Sequence, residues 1–213
     1  MKPAAAAADT IAAVATPPGV GGIAVLRISG RAAVAIATAV AGPLPLPRRA
    51  TLRPFLGADG TVIDEGLALV FPAPRSFTGE DVVELHGHGG PVVVDLLLSR
   101  LLALGARLAR PGEFSERAFL NGRLDLAQAE ATADLIAAGS AAAARLAMRT
   151  LQGELSRRAE ALLDALARVR THLEATIDFP DEEIDVLASG TVLADLDALD
   201  ARVDATLRSA HRG

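Results

Sequence analysis

Arg110-Pro111-Gly112-Glu113-Phe114-Ser115-Glu116-Arg117-Ala118-Phe119-Leu120-Asn121-Gly122-Arg123-Leu124-Asp125-Leu126-Ala127-Gln128-Ala129-Glu130 is where two kinds of sequence meet. Upstream, short β-prone runs alternate with helical ones; downstream the pattern is helical only. Pro111-Gly112 interrupts what precedes, Ser115 is placed to cap a short helix through Phe119, and Asn121-Gly122 supplies residues that tolerate the positive φ of a helix stop. The expected architecture is an α+β domain over residues 1–120 followed by an all-α partial helical bundle over 121–213. Four arginines, Arg107, Arg110, Arg117 and Arg123, crowd this junction in a chain of formal net charge −5, and a local basic spot in an acidic protein suggests a small anionic ligand.

Working back from the junction, residues 106–109 read as a last short strand, and 92–104 as a helix with Pro91 at its favourable first position and Gly105 as its stop. Residues 82–86 alternate, with Val83 and Leu85 on one face and Val82, Glu84 and His86 on the other; Gly87 to Pro91 then turns into the helix. Residues 51–56 and 61–71 form a hairpin about Gly57-Ala58-Asp59-Gly60. Residues 10–16 and 23–28 are strands flanking a glycine-proline loop, and Ser29 is placed to cap a helix over 31–40.

Forward of the junction, helices are expected over 124–138, over 141–175 with a bend at Gly153, and again along Val192, Leu196, Leu199, Val203 and Leu207. Leu162, Leu166, Val169 and Leu173 form one apolar stripe on the long middle helix. Three helices with such stripes make half a bundle, so further helices, from other segments or a partner chain, are expected to complete it.

Composition narrows the function. The chain has no cysteine, which excludes disulfides and thiolate metal sites and fits a reducing cytoplasm. Six Phe with no Tyr or Trp, and a sequence pI near 5.4, argue against base stacking and against a domain that grips nucleic acid alone. The most apolar run, 92–104, carries Asp95 and Arg100 and is shorter than the ~20 residues of a membrane span, so no membrane association is expected. The alanine-rich start is read as a frayed tail rather than an export signal. Lys2 is the only lysine, so these residues hold no phosphate-binding loop of the G-x-x-x-x-G-K-[ST] type.

Arg27 and Glu84 stand out because each interrupts an apolar strand, where a charge is costly unless paired or liganded. A mutual salt bridge is one reading. The other is a pocket in which the carboxylate accepts two parallel hydrogen bonds from an amino-pyrimidinone edge and arginines fork onto a ligand's carboxylates. His86 and His88 lack the further ligands a zinc site needs, and the acidic run Asp178 to Asp185 lacks the spacing of a calcium loop; no metal site and no catalytic residue is assigned.

The segments R-P-G-E-F-S-E-R-A-F-L-N-G-R-L-D-L-A-Q-A-E (110–130), A-T-P-P-G-V-G-G-I-A-V-L-R-I-S-G (15–30), S-F-T-G-E-D-V-V-E-L-H-G-H-G-G-P-V (76–92) and I-D-F-P-D-E-E-I-D (177–185) together strongly resemble the tRNA-modification GTPase family called MnmE or TrmE. The resemblance implies that the N-terminal domain is similar to the folate-binding aminomethyltransferase fold and holds a reduced folate, a formyl or methylene tetrahydrofolate, at a homodimer interface. It implies Arg27, Glu84 and Arg123 as binding positions, the last being lysine in some members. Intact members work in the cytoplasm with a flavin-dependent partner, MnmG or GidA, to place an aminomethyl-type group on C5 of the wobble uridine of tRNA. They hydrolyse GTP with potassium and magnesium through a GTPase domain that these residues are expected to lack, so this chain is expected to be inactive as a GTPase. The rival readings are a self-contained folate-dependent aminomethyltransferase and a pure dimerisation scaffold.

Overall fold

The computed structural model describes residues 9–178 and 191–210. The chain divides into two compact units, one ending at Ala129 and the other beginning at Glu130.

The first unit is a sheet with helices on one face. Its strands are β1 (Ile11–Val14), β2 (Gly21–Ser29), β3 (Thr51–Leu56), β4 (Val62–Phe71), β5 (Val82–Gly89) and β6 (Arg107–Leu108), in the order β3-β4-β5-β2-β1-β6. All neighbours are antiparallel except β1 and β6. That exception follows from connectivity, since the chain reaches β6 only after crossing through a helix.

Helices α1 (Ala33–Ala41) and α2 (Pro91–Ala103) pack against the same side of the sheet. Strand alternation delivers Leu26, Ile28, Ala68, Val70, Val83 and Leu85 to that side, where they meet Ile36, Ala37, Val40, Leu97 and Leu101 in one core. The core is aliphatic, with Phe55 its single aromatic ring. By the same alternation Arg27, Glu84 and His86 project from the opposite face. Removing a buried leucine such as Leu26 or Leu85 costs ~2–5 kcal/mol in a core of this kind.

Several local expectations are corrected. Ser29 does not cap α1: Ala32 occupies the cap position without a side-chain bond, and the Ser29 hydroxyl is instead buried against Thr78 and Glu80, 2.7 and 2.8 Å away. Helix α3 (Glu113–Leu120) begins two residues before Ser115, after Gly112 at φ 75°. Gly112 takes the cap position without a side-chain bond, and the Glu113 carboxylate turns back to accept the Arg110 N–H of the preceding turn at 2.7 Å. Strand β5 also runs on through Gly87 and His88 to Gly89, which pairs with Gly21. A Cβ at Gly89 would approach the Gly21 carbonyl oxygen to 2.6 Å, so only glycine lets the two strands meet there.

After α3, Asn121 stays at φ −87° and Gly122 takes the positive φ of 67°. Helix α4 (Leu126–Ala137) opens with a reciprocal pair in which Asp125 Oδ1 accepts the Gln128 N–H and Gln128 Oε1 accepts the Asp125 N–H.

In the second unit the expected long helix is two helices. Helix α5 (Ala141–Leu151) stops at Gln152, Gly153 adopts φ 76°, and α6 (Glu154–Asp178) restarts the chain. The glycine ends the helix rather than bending it, because a left-handed residue breaks the hydrogen-bond ladder. Helix α5 is capped by Ser140, whose hydroxyl accepts the Ala143 N–H at 3.1 Å. Helix α7 (Thr191–Ala210) packs on α6, and Val169 of α6 and Val192 of α7 are buried. Leu162 and Leu199 are half-buried, and the other stripe residues Leu166, Leu173, Leu196, Val203 and Leu207 are exposed. No described helix is long and apolar enough to cross a membrane. The alanine-rich start and most of the acidic run lie outside the described residues.

Candidate functional site

Arg27 on β2 and Glu84 on β5 are direct register partners. The Arg27 Nε and Nη2 atoms each lie 2.8 Å from Glu84 Oε1, and His86 Nε2 sits 3.0 Å from Glu84 Oε2. The bland reading of the two charges, a mutual salt bridge, is therefore present in the geometry. The carboxylate is held at both oxygens, which fixes its plane before any ligand arrives.

The guanidinium is held as well. Its carbon lies 5.5 Å from the centre of the Phe77 ring and 5.7 Å from that of Phe114, within cation–π range of both. Phe77 comes from the segment after β4, Phe114 from α3. Two aromatic rings flank the guanidinium, and Phe77 stays partly exposed.

Beside this cluster is a cavity of about 350 Å³ lined by Arg48, Phe71, Arg75, Ser76, Phe77, Val82, Glu84 and Arg123. The structure thus brings all three expected binding residues together: Glu84 and Arg123 line the cavity, and Arg27 holds the Glu84 carboxylate from behind. Arg123 reaches back across the junction, its Nε donating to the Ser76 carbonyl at 3.3 Å. Asn121 Nδ2 donates to the Thr78 carbonyl at 2.7 Å, so the end of α3 pins the 76–80 segment at two points. Gly79, at φ 80°, passes under these side chains; a Cβ there would meet Arg123 Cγ and Asn121 Cβ at 3.1 Å.

The expected four-arginine anion spot is corrected. Arg107, Arg110 and Arg117 are consumed by carboxylates, and only Arg123 faces the cavity. Arg117 is 4% exposed and donates to Glu80, to Glu113, and to both the carboxylate and the carbonyl of Asp9. Arg107 forks onto Glu113 at 2.6 and 3.1 Å and also reaches Asp9. The Arg107 hydrogen bonds, with the Arg110 N–H and Arg117 adding to them, outweigh burial and hold the Glu113 carboxyl down at about 2. These arginines balance buried acids and fasten β1 to α3.

What sequence reasoning missed is the other wall of the cavity. Arg48, Arg75 and Phe77 all come from connections, where no periodicity marks a residue as facing anything. Arg48 carries one available signal after folding: at φ 63° it is the only non-glycine residue with positive φ among the described residues. Its guanidinium lies 5.8 Å from the Phe71 ring and donates to the Arg75 carbonyl at 2.5 Å.

His86 and His88 do not converge. His88 Nδ1 pairs with Asp64 at 2.7 Å, whereas His86 belongs to Glu84, and no group of three or more potential ligands gathers among the described residues.

Comparison with known proteins agrees with the division of the chain. Residues 10–123 match the family model described as GTP-binding protein TrmE N-terminus, and residues 126–213 match the MnmE helical domain. A protein of Stutzerimonas stutzeri named tRNA modification GTPase MnmE is 62% identical over 207 residues, 97% of this chain and 46% of the relative. Proteins of the same name from Pectobacterium carotovorum and Chromohalobacter salexigens are 59% and 64% identical, over 96% and 87% of this chain and 45% and 41% of their own lengths. The chain therefore spans a little under half the length of the curated relatives it matches. With one family model covering the sheet unit and a second covering the helices, the chain belongs to the TrmE/MnmE family.

Proposed function

We propose that this chain is the folate-holding and dimer-forming part of a tRNA-modification GTPase. The observation that carries the reading is one cavity lined by Glu84 of β5 and by Arg123 just after α3, with Arg27 of β2 bonded to the Glu84 carboxylate beside it.

The residues present fit a reduced folate. Its head offers neighbouring N–H donors that a carboxylate accepts in parallel, its ring takes an aromatic neighbour such as Phe77, and its tail ends in carboxylates that arginine recognises. Glu84 would orient the head, with Arg27 holding the carboxylate in place, and Arg123 would take a tail carboxylate. When bound, a tetrahydrofolate supplies the one-carbon unit for the aminomethyl-type group placed on C5 of the wobble uridine.

In this reading the whole protein works in the cytoplasm on tRNA with the flavin-dependent partner MnmG, as a homodimer joined through the sheet unit. The GTPase named for the relatives, with its potassium and magnesium, belongs to residues other than these 213, because no lysine is available here for a phosphate-binding loop. The open leucines of α6 and α7 await further helices of the same bundle.

A second reading, a dimerisation scaffold without ligand, is favoured by one fact: both Glu84 oxygens already have partners. Calorimetric titration of formyl-tetrahydrofolate into the chain and into Glu84→Ala, with dimerisation measured on the same samples, separates the two. Saturable binding lost in the variant supports the folate site; a folded dimer that takes up no heat supports the scaffold.

A further inference from the structure

We infer that Arg48 and Arg75, together with Arg123, form a cationic arm of the cavity that selects folates carrying an extended γ-glutamyl tail. The inference rests on the folate reading above and adds a specificity that the three expected residues do not supply.

The argument is one of charge. Three arginines and one carboxylate line the cavity, and the carboxylate is already neutralised by Arg27. Arg48, Arg75 and Arg123 have no carboxylate partner among the described residues, while Arg107, Arg110 and Arg117 all have one. An acidic chain that pairs its neighbouring arginines so fully leaves these three uncompensated around one concavity. A monoglutamyl folate brings two carboxylates, one short of the cations available. Each further γ-linked glutamate adds one.

Arg48 is also held in place at a cost. Its backbone sits in the left-handed region, which disfavours a residue with a Cβ, and its side chain is fixed by Phe71 and the Arg75 carbonyl. That contact sets the Arg48 guanidinium against the Arg75 backbone, so both cations stand on the same wall of the cavity. Strained residues of this kind persist where the surroundings hold them and gather at ligand sites.

The test compares formyl-tetrahydrofolate bearing one and three γ-linked glutamates, titrated calorimetrically into the unmodified chain at low and at 0.5 M salt. An exposed charge pair is worth up to about 5-fold in affinity, so the triglutamyl form is expected to bind at least a few-fold tighter at low salt. That advantage shrinks at high salt, where the Debye length is only a few ångströms. Arg75→Gln and Arg48→Asn, the latter chosen because asparagine tolerates the left-handed backbone, are each expected to bring the ratio of the two affinities toward one.

Saturable monoglutamyl binding with a ratio near one at both salts would overturn the inference and leave the folate reading standing. Failure of both compounds to bind would overturn both. A ratio of one with both compounds displaced equally by tRNA would assign the arginines to RNA phosphates, and the inference would again fall.

Discussion

Arg27 and Glu84 stand directly opposite one another on β2 and β5, with two guanidinium nitrogens 2.8 Å from one carboxylate oxygen. A cross-strand pair of this kind joins the centre of the sheet and at the same time aims a carboxylate at the cavity. One side chain, Glu84, therefore serves both the strand pairing and the cavity wall.

Glu84→Ala removes charge-assisted hydrogen bonds from a partly buried guanidinium, each worth about 1.5–3 kcal/mol. The variant is expected to lose ~1–3 kcal/mol of stability in guanidinium chloride denaturation while remaining folded, because Phe77 and Phe114 still hold Arg27. A midpoint unchanged from the parent would show that the pair adds nothing to the sheet.

Arg117→Met is expected to be far more damaging. It leaves the Glu80 carboxylate without a cation, while Asp9 and Glu113 keep only Arg107 and Arg110, and removing one partner from a buried ion network costs about 3–5 kcal/mol. Loss of the cooperative unfolding transition at room temperature, or a large fall in its midpoint, is the expected result. A shift under 1 kcal/mol, well below that range, would mean the acids find other partners.

The same network sets a pH dependence. The Glu113 carboxyl is depressed from 4.5 to about 2 in the folded chain, so its stabilisation is complete above about pH 4.5 and is lost as the pH falls toward 2. Glu113→Gln is expected to be less stable than the parent at neutral pH and to approach it near pH 2. Denaturation midpoints measured from pH 2 to 7 would show the two curves converging on the acid side; parallel curves would refute the assignment.

Gly79→Ala tests the coupling of the junction to the cavity. The new Cβ would press on Arg123 and Asn121 and would sit in a left-handed backbone, a strain of ~1–2 kcal/mol. Folate affinity, read by calorimetry, is expected to fall because Arg123 leaves the Ser76 carbonyl. Unchanged affinity would free Arg123 from its assigned place.

The sequence makes the strands of the first unit legible because one face of the sheet is covered: Val83 and Leu85 alternate with Glu84 and His86 for that reason. The cavity is legible only in part. Glu84 and Arg27 interrupt apolar strands and announce themselves, whereas Arg48, Arg75 and Phe77 lie in connections that reach the cavity through tertiary folding alone. Ser29 misleads for the same reason, since partners 49 and 51 residues away claim its hydroxyl before the adjacent helix does. At Gly153 the composition marks the place but not the outcome, because bend and stop differ only in the sign of φ.

The bonds from Arg117 to Asp9 span 108 positions of chain, and those from Arg107 to Asp9 span 98. A ribosome adding ~5–20 residues per second brings out the first strand and then takes roughly 5–20 s to deliver the cations that fasten it. Until then β1 has its neighbour β2 but not its clamp, and Asp9 waits without these two cations. Completion of this unit is thus timed by the emergence of α3, which makes the junction the last stitch of the sheet as well as the start of the helices.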